Sequence, residues 1–186
     1  MLITKAKMTF KENISDAEGR ITGEIYQAVY EEMPCCQICG ESMSVRDHIL
    51  RGFIPMSGVQ GKVKIRRLVC ADTACSLHTR PQRDLPSGLV PRRQYTAEVH
   101  QAIAEGRRDV PCAPNTIHRI YAWLVGLAVC LLASDYFLTL CENVNEPCRP
   151  AGSPLEQLRD IIGGGKDWLC RAVEKALGQG GSLHCR

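Results

Sequence analysis

The 186 residues are 45% hydrophobic and 23% charged, close to the averages of soluble globular proteins, which excludes wholesale disorder and fibrous repeats. The formal charge of +3 conceals a basic centre, because residues 35–121 hold 13 Lys and Arg against 7 Asp and Glu while the two flanks are slightly acidic. Such a centre suits a polyanionic partner, and an aromatic share of only 5% implies an aliphatic core with part of its stability supplied from elsewhere.

Met1 to Glu12 alternates Lys with apolar residues and lacks the uninterrupted apolar stretch of a secretory signal, so a cytoplasmic location is expected. Eleven cysteines, an odd number, then read as reduced thiols and metal ligands rather than disulfides. Ile14, Ala17, Ile21, Ile25, Ala28 and Val29 fall at helical spacing, which predicts a short helix within an N-terminal segment, residues 1–33, although Gly19 and Gly23 weaken it. Strand signals follow at Ser44 to Ile49 and Lys62 to Val69, separated by Pro55, Gly58 and Gly61; these predict a hairpin between two cysteine clusters. Residues 76–94, with Pro81, Pro86, Gly88 and Pro91, read as an irregular connector lying against the hairpin.

A helix is predicted from Tyr95 to Glu105, stopped by Gly106, and a second from Pro114, whose apolar stripe is Ile117, Ile120, Tyr121, Leu124, Ala128 and Leu131. Residues 141–154 form a linker, and Leu155 to Leu177 an amphipathic helix interrupted at Gly163 to Gly165. The expected fold class is α+β: a zinc-ribbon β-hairpin module over 34–91, a mainly helical, helix-turn-helix-like region over 92–141, and a linker with a C-terminal helix over 142–186. Ile120 to Leu140 is the one stretch long enough to raise a membrane question. Ten Leu, Ile, Val or Phe residues contribute roughly −3 to −6 kcal/mol to insertion and Asp135 costs about +2.5 to +3.5, so a buried helix or a dimer interface over 117–140 is expected instead of a span.

Cys36-Gln37-Ile38-Cys39-Gly40 has the form of a metal knuckle, with two thiols three positions apart and a trailing glycine for the tight turn. Cys70 and Cys75 follow the hairpin, and folding it back brings four sulfurs to one tetrahedral point, a structural Zn²⁺ site. Cys70 and Cys75 enclose four residues where a usual knuckle encloses two, so Cys35 and His78 are alternative ligands. Cys112, Cys130, Cys141, Cys148, Cys170 and Cys185 lack a paired spacing and read as packing or surface thiols.

The knuckle Cys36-x-x-Cys39-Gly40, followed by Ile65-Arg66-Arg67-Leu68-x-Cys70, His78, Leu85-Pro86, Val90-Pro91 and Tyr95, resembles an uncharacterised bacterial zinc-ribbon family with transposase-like, mobile-element associations. The resemblance covers roughly residues 34–125 and implies a ribbon followed by a helix-turn-helix. The four-residue spacing of the second cysteine pair departs from that family's pattern.

In a helix-turn-helix the N-terminal residues of the second helix meet base edges, which nominates Asn115, Thr116, His118 and Arg119. Lys62, Lys64, Arg66 and Arg67 on the hairpin, with Arg92, Arg93, Arg107 and Arg108 around the first helix, could hold phosphates. Arg66 and Arg67 point to opposite strand faces, so one is expected to pair with Asp47, Asp72 or Asp84. The reading is a zinc-stabilised, non-catalytic DNA-binding protein, with no small-molecule substrate and no acidic cluster for two-metal chemistry. Its rival is a zinc-ribbon adaptor that binds protein or forms a homo-oligomer through the helix over 117–140.

Overall fold

A computed structural model describes residues 2–134 and 152–178. The chain divides into two compact units, residues 1–96 and 97–186. The first is a six-stranded sheet: β1 (Leu2–Thr4), β2 (Ala6–Ser15), β3 (Ile21–Tyr30), β4 (Met43–Phe53), β5 (Gly61–Cys70) and β6 (Gln82–Pro86). The second holds four described helices, α1 (Ala97–Ala104), α2 (Pro114–Leu132), α3 (Pro154–Ile162) and α4 (Trp168–Gly178). The α+β class is therefore correct, and the sheet is larger than a hairpin module.

The helix expected between residues 14 and 32 is a correction. That stretch forms an antiparallel hairpin of β2 and β3. Asp16 and Gly19 close its turn: Asp16 Oδ1 accepts from the Arg20 and Glu18 N–H groups, and Gly19 takes a φ of +76° that a helix interior would not tolerate. Gly23 is required for a different reason, since a Cβ there would lie 2.9 Å from the Gln60 carbonyl oxygen. Of the apolar residues that suggested helical spacing, Ala17 lies in the turn, Ile14 is on β2, and Ile21, Ile25, Ala28 and Val29 are on β3.

The predicted hairpin of β4 and β5 is present, pairing Met43 with Cys70 at one end and Phe53 with Gly61 at the other, with a bulge at Arg46. With β4 along one edge of β5, the other edge takes β3 in parallel at residues 61–64 and β6 at 67–68. β6 corrects the connector expected over 76–94, and β1 pairs beside it in parallel. Because side chains alternate across a strand, β5 serves two cores. Val63 and Ile65 pack with Phe53, Leu85 and Leu89 on one face, whereas Leu68 and Cys70 pack with Leu2, Cys36, Met43 and Cys75 on the other.

Gly61 is the tightest point of the first core. A Cβ built on it would sit 2.5 Å from Phe53 Cζ, so Gly61→Ala is expected to cost about 1–3 kcal/mol through overpacking, read from urea denaturation of the metal-saturated protein.

In the helical unit, α1 ends on the predicted Gly106, at φ +78°. The Gly106 N–H donates to the Ile103 carbonyl and the Arg107 N–H to that of Ala102, a Schellman motif. α2 has Ala113 as its N-cap and Pro114 in its first turn. Its buried stripe is Ile120, Leu124, Leu127, Ala128 and Leu131; Tyr121, expected there, is 41% exposed. By length and composition alone α2 could cross a membrane; its buried stripe takes in 28% of that apolar window, and α2 packs on α1 and α3. Residues 135–140 of the longer helix expected over 117–140 lie outside the described residues. α3 begins with a Ser153–Glu156 capping box, and the break expected at Gly163 to Gly165 separates it from α4.

Candidate metal centre

The first limb of the site is a turn. The Gly40 N–H donates to the Cys36 carbonyl at 2.9 Å and the Cys36 N–H to that of Glu41 at 2.7 Å, while Gly40 takes a φ of +78°, as the knuckle pattern requires. The backbone N–H groups of Cys39 and Ile38 also point at the Cys36 sulfur and hold its thiol down at about 7.

Cys70, the last residue of β5, begins the second limb. The strand leaves with the Ala71 N–H donating to the Ser42 carbonyl at 3.0 Å, which ties the limb to the start of β4. The long spacing is absorbed by Asp72. Its Oδ1 accepts from the Ala74 N–H at 2.9 Å and its carbonyl from the Cys75 N–H at 3.2 Å, a tight turn that returns Cys75 towards Cys70. The four-residue insertion is visible in the sequence, and the signal for the turn that absorbs it is an Asp two residues after Cys70.

The four sulfurs converge. Cys36 Sγ lies 3.7 Å from Cys75 Sγ, Cys39 Sγ lies 3.4 Å from Cys70 Sγ, and all four are within 4.8 Å of one another. A tetrahedral ion with metal–sulfur bonds of about 2.3 Å would hold its ligands about 3.8 Å apart, so the donor set fits a metal ion. Cys36, Cys70 and Cys75 are buried and Cys39 is exposed. Burial pushes the Cys70 thiol up to about 12. A cation at the centre supplies the charge that stabilises the thiolates, so binding releases protons and weakens in acid.

Neither alternative ligand joins the cluster. Cys35 is exposed and forms an isolated bridge with Ser42, and His78 Nδ1 lies 2.8 Å from the Cys70 carbonyl oxygen. Cys112 and Cys170 are half-buried and Cys130 is exposed; Cys141, Cys148 and Cys185 lie outside the described residues.

The residues nominated for DNA fall into distinct groups. Lys62 and Lys64 are exposed on β5, Arg92 is exposed, and Arg93 is half-buried. Asn115, His118 and Arg119 are exposed on the first turns of α2, with Thr116 half-buried. Arg66 is a correction: it is buried, its Nε donates to Asp84 at 2.6 Å and its Nη2 to the Glu32 carbonyl at 2.7 Å, and its guanidinium lies 3.8 Å from the centre of the Tyr30 ring. It is therefore withdrawn as a phosphate contact. Arg67, across the ladder from Asp47, makes a two-pronged contact with that carboxylate. Each arginine thus has a carboxylate, where one such pair was expected.

A family model described as a domain of unknown function (DUF6431) matches residues 36–120. The match takes in all four clustered cysteines, β4 to β6, α1 and the first turns of α2. No curated protein and no solved structure matches the chain.

Proposed function

We propose that this chain is a cytoplasmic, zinc-stabilised, non-catalytic DNA-binding protein, related in design to the recognition region of transposases. Four thiolates are soft donors that suit zinc, and a closed four-ligand set is the structural rather than the catalytic form of such a site. On this reading the β4–β5 hairpin with its two cysteine limbs is a zinc ribbon, and α1 and α2 are a helix-turn-helix. The observation that carries the DNA reading is the exposure of Asn115, His118 and Arg119 at the start of α2, away from the buried Ile120 and Leu124, within a segment of net +6. Asn and Arg are the side chains that make two-pronged contacts with adenine and guanine edges.

The test is Arg119→Ala in a binding selection over a randomised duplex. Sequence preference should relax at one position, by about 1–3 kcal/mol of discrimination, with non-specific affinity at low salt retained. Uniform weakening across all sequences would remove α2 as the reading helix.

A second reading rests on Tyr121 and Val129, 41% and 50% exposed and two helical turns apart on α2, with half-buried Val125 between them. That stripe favours a protein-binding adaptor or homodimer. A zinc-loaded, folded protein that ignores duplex DNA at low salt and self-associates would select it.

A further inference from the structure

β5 places Lys62 and Lys64 on one face of the sheet, and the ladder fixes their neighbours. Lys62 lies opposite Ile25 of β3, Lys64 opposite Gln27 of β3 and Leu50 of β4, and on the next strand Thr9 and Lys7 of β2 lie opposite Gln27 and Val29. Residues directly opposite in a ladder share a face, so Lys7, Thr9, Gln27, Lys62, Lys64 and Leu50 form one continuous surface across four strands. It is the reverse of the face on which Val63 and Ile65 are buried. Among the described residues nothing covers it: Lys7, Thr9, Gln27, Lys62 and Lys64 are exposed, Leu50 is 63% exposed and Val29 is 52% exposed.

From these observations we infer that this open sheet face is a docking surface for the phosphate backbone of duplex DNA; the inference rests on the DNA-binding reading and adds to it a second contact region. Charge complementarity decides the occupant. The strongly exposed apolar residues Val29 and Leu50 stand directly across the ladder from Lys7 and Lys64, and half-buried Ile25 stands between Lys62 and Glu12, so the apolar side chains of the face are interspersed with charge. Its donors are lysine ammoniums with Thr9 and Gln27 between them, the side-chain types that contact phosphate and sugar. One carboxylate shares the face: exposed Glu12 stands across the ladder from Ile25, one strand from Lys62, and leaves Lys7, Lys62 and Lys64 in excess; Glu31 is held by Lys5 at 3.0 Å. The face carries no aromatic side chain at the positions named, so it offers no stacking platform for the splayed bases of a single strand. Arg66, the next residue of the same alternation, is buried against Asp84 and bounds the surface.

The experiment compares the wild-type chain, Lys62→Gln/Lys64→Gln and Arg119→Ala, each saturated with zinc, for binding to a labelled 20-base-pair duplex between 50 and 200 mM salt. Both lysines are exposed and their replacements uncharged, and circular dichroism and melting temperature should match the wild type. Loss of two phosphate contacts should lower the salt slope by about 1.8, so the double variant loses about twelvefold less affinity than wild type across that range. Arg119→Ala, which removes a base-edge contact and at most one phosphate contact, should change the salt slope by no more than about 0.9. Wild-type binding with an unchanged slope in the lysine variant overturns the docking face while leaving the DNA reading to α2. No duplex binding by wild type at 50 mM overturns both. Competition by poly-glutamate as effective as duplex at equal charge would make the occupant an acidic protein and overturn the inference in that way.

Discussion

Replacing Cys70 with serine is expected to abolish tight, stoichiometric metal binding and to lower the melting temperature of the sheet unit. Cys70 is fully buried at the end of β5, with its sulfur 3.4 Å from that of Cys39. The core around it consists of Leu2, Cys36, Met43, Leu68, Cys70 and Cys75, so half of its members are ligands and little apolar packing remains without the ion. Structural zinc contributes an apparent free energy on the order of 10–16 kcal/mol in small domains. Typical net stabilities are about 5–15 kcal/mol, so the ion's contribution is as large as the whole margin. A chelator-competition titration reads the loss of affinity, and hydrogen exchange at residues 36–43 and 70–78 locates the loss of structure. Cys112→Ser, outside the cluster, should leave both unchanged. Retention of one tightly held ion by the Cys70 variant would move the site to other ligands.

Asp84→Ala is the second large effect. Asp84 is wholly buried, the Arg66 side chain is 9% exposed, and they meet at 2.6 Å beneath Tyr30, whose hydroxyl donates to the Asp84 carbonyl at 2.7 Å. Removing the carboxylate leaves a guanidinium buried with one carbonyl and one aromatic ring as company, which costs about 3–5 kcal/mol. The pair itself need not be worth that much, because both ions were taken out of water to form it. Replacing both together, Arg66→Met with Asp84→Leu, should therefore cost far less than Asp84→Ala alone. Urea denaturation of the metal-saturated variants measures both. A loss below about 1 kcal/mol for the single variant would mean that Arg66 reaches water, as an exposed ion-pair partner does, and would restore it as a phosphate contact.

The sequence made the local features legible. The knuckle turn at Gly40, the hairpin flanked by cysteines, the stop at Gly106, the start at Pro114 and the break at Gly163 to Gly165 each follow from residues close together in the chain, and each is present. What it hid was non-local. β3 forms a local hairpin with β2, but four of its residues also lie parallel to β5, some forty residues away, and the spacing of Ile14, Ile21 and Ile25 cannot report that partner. The same error concealed Gln27, which on a helix would not have shared a face with Lys62 and Lys64, and Lys7 and Thr9 join that face only through β3. Opposite orientations for Arg66 and Arg67 were readable from strand alternation. Which carboxylate each would meet depended on β6 and on the bulge at Arg46, neither of which has a strong local signature.

The central claim is that one ion closes Cys36, Cys39, Cys70 and Cys75 into a single site, and X-ray absorption at the metal edge of the purified protein, with metal content measured on the same sample, tests it most directly. One zinc per chain surrounded by four sulfurs at about 2.3 Å is the expected result. A folded protein that contains no metal and keeps its melting temperature in a strong chelator would contradict it.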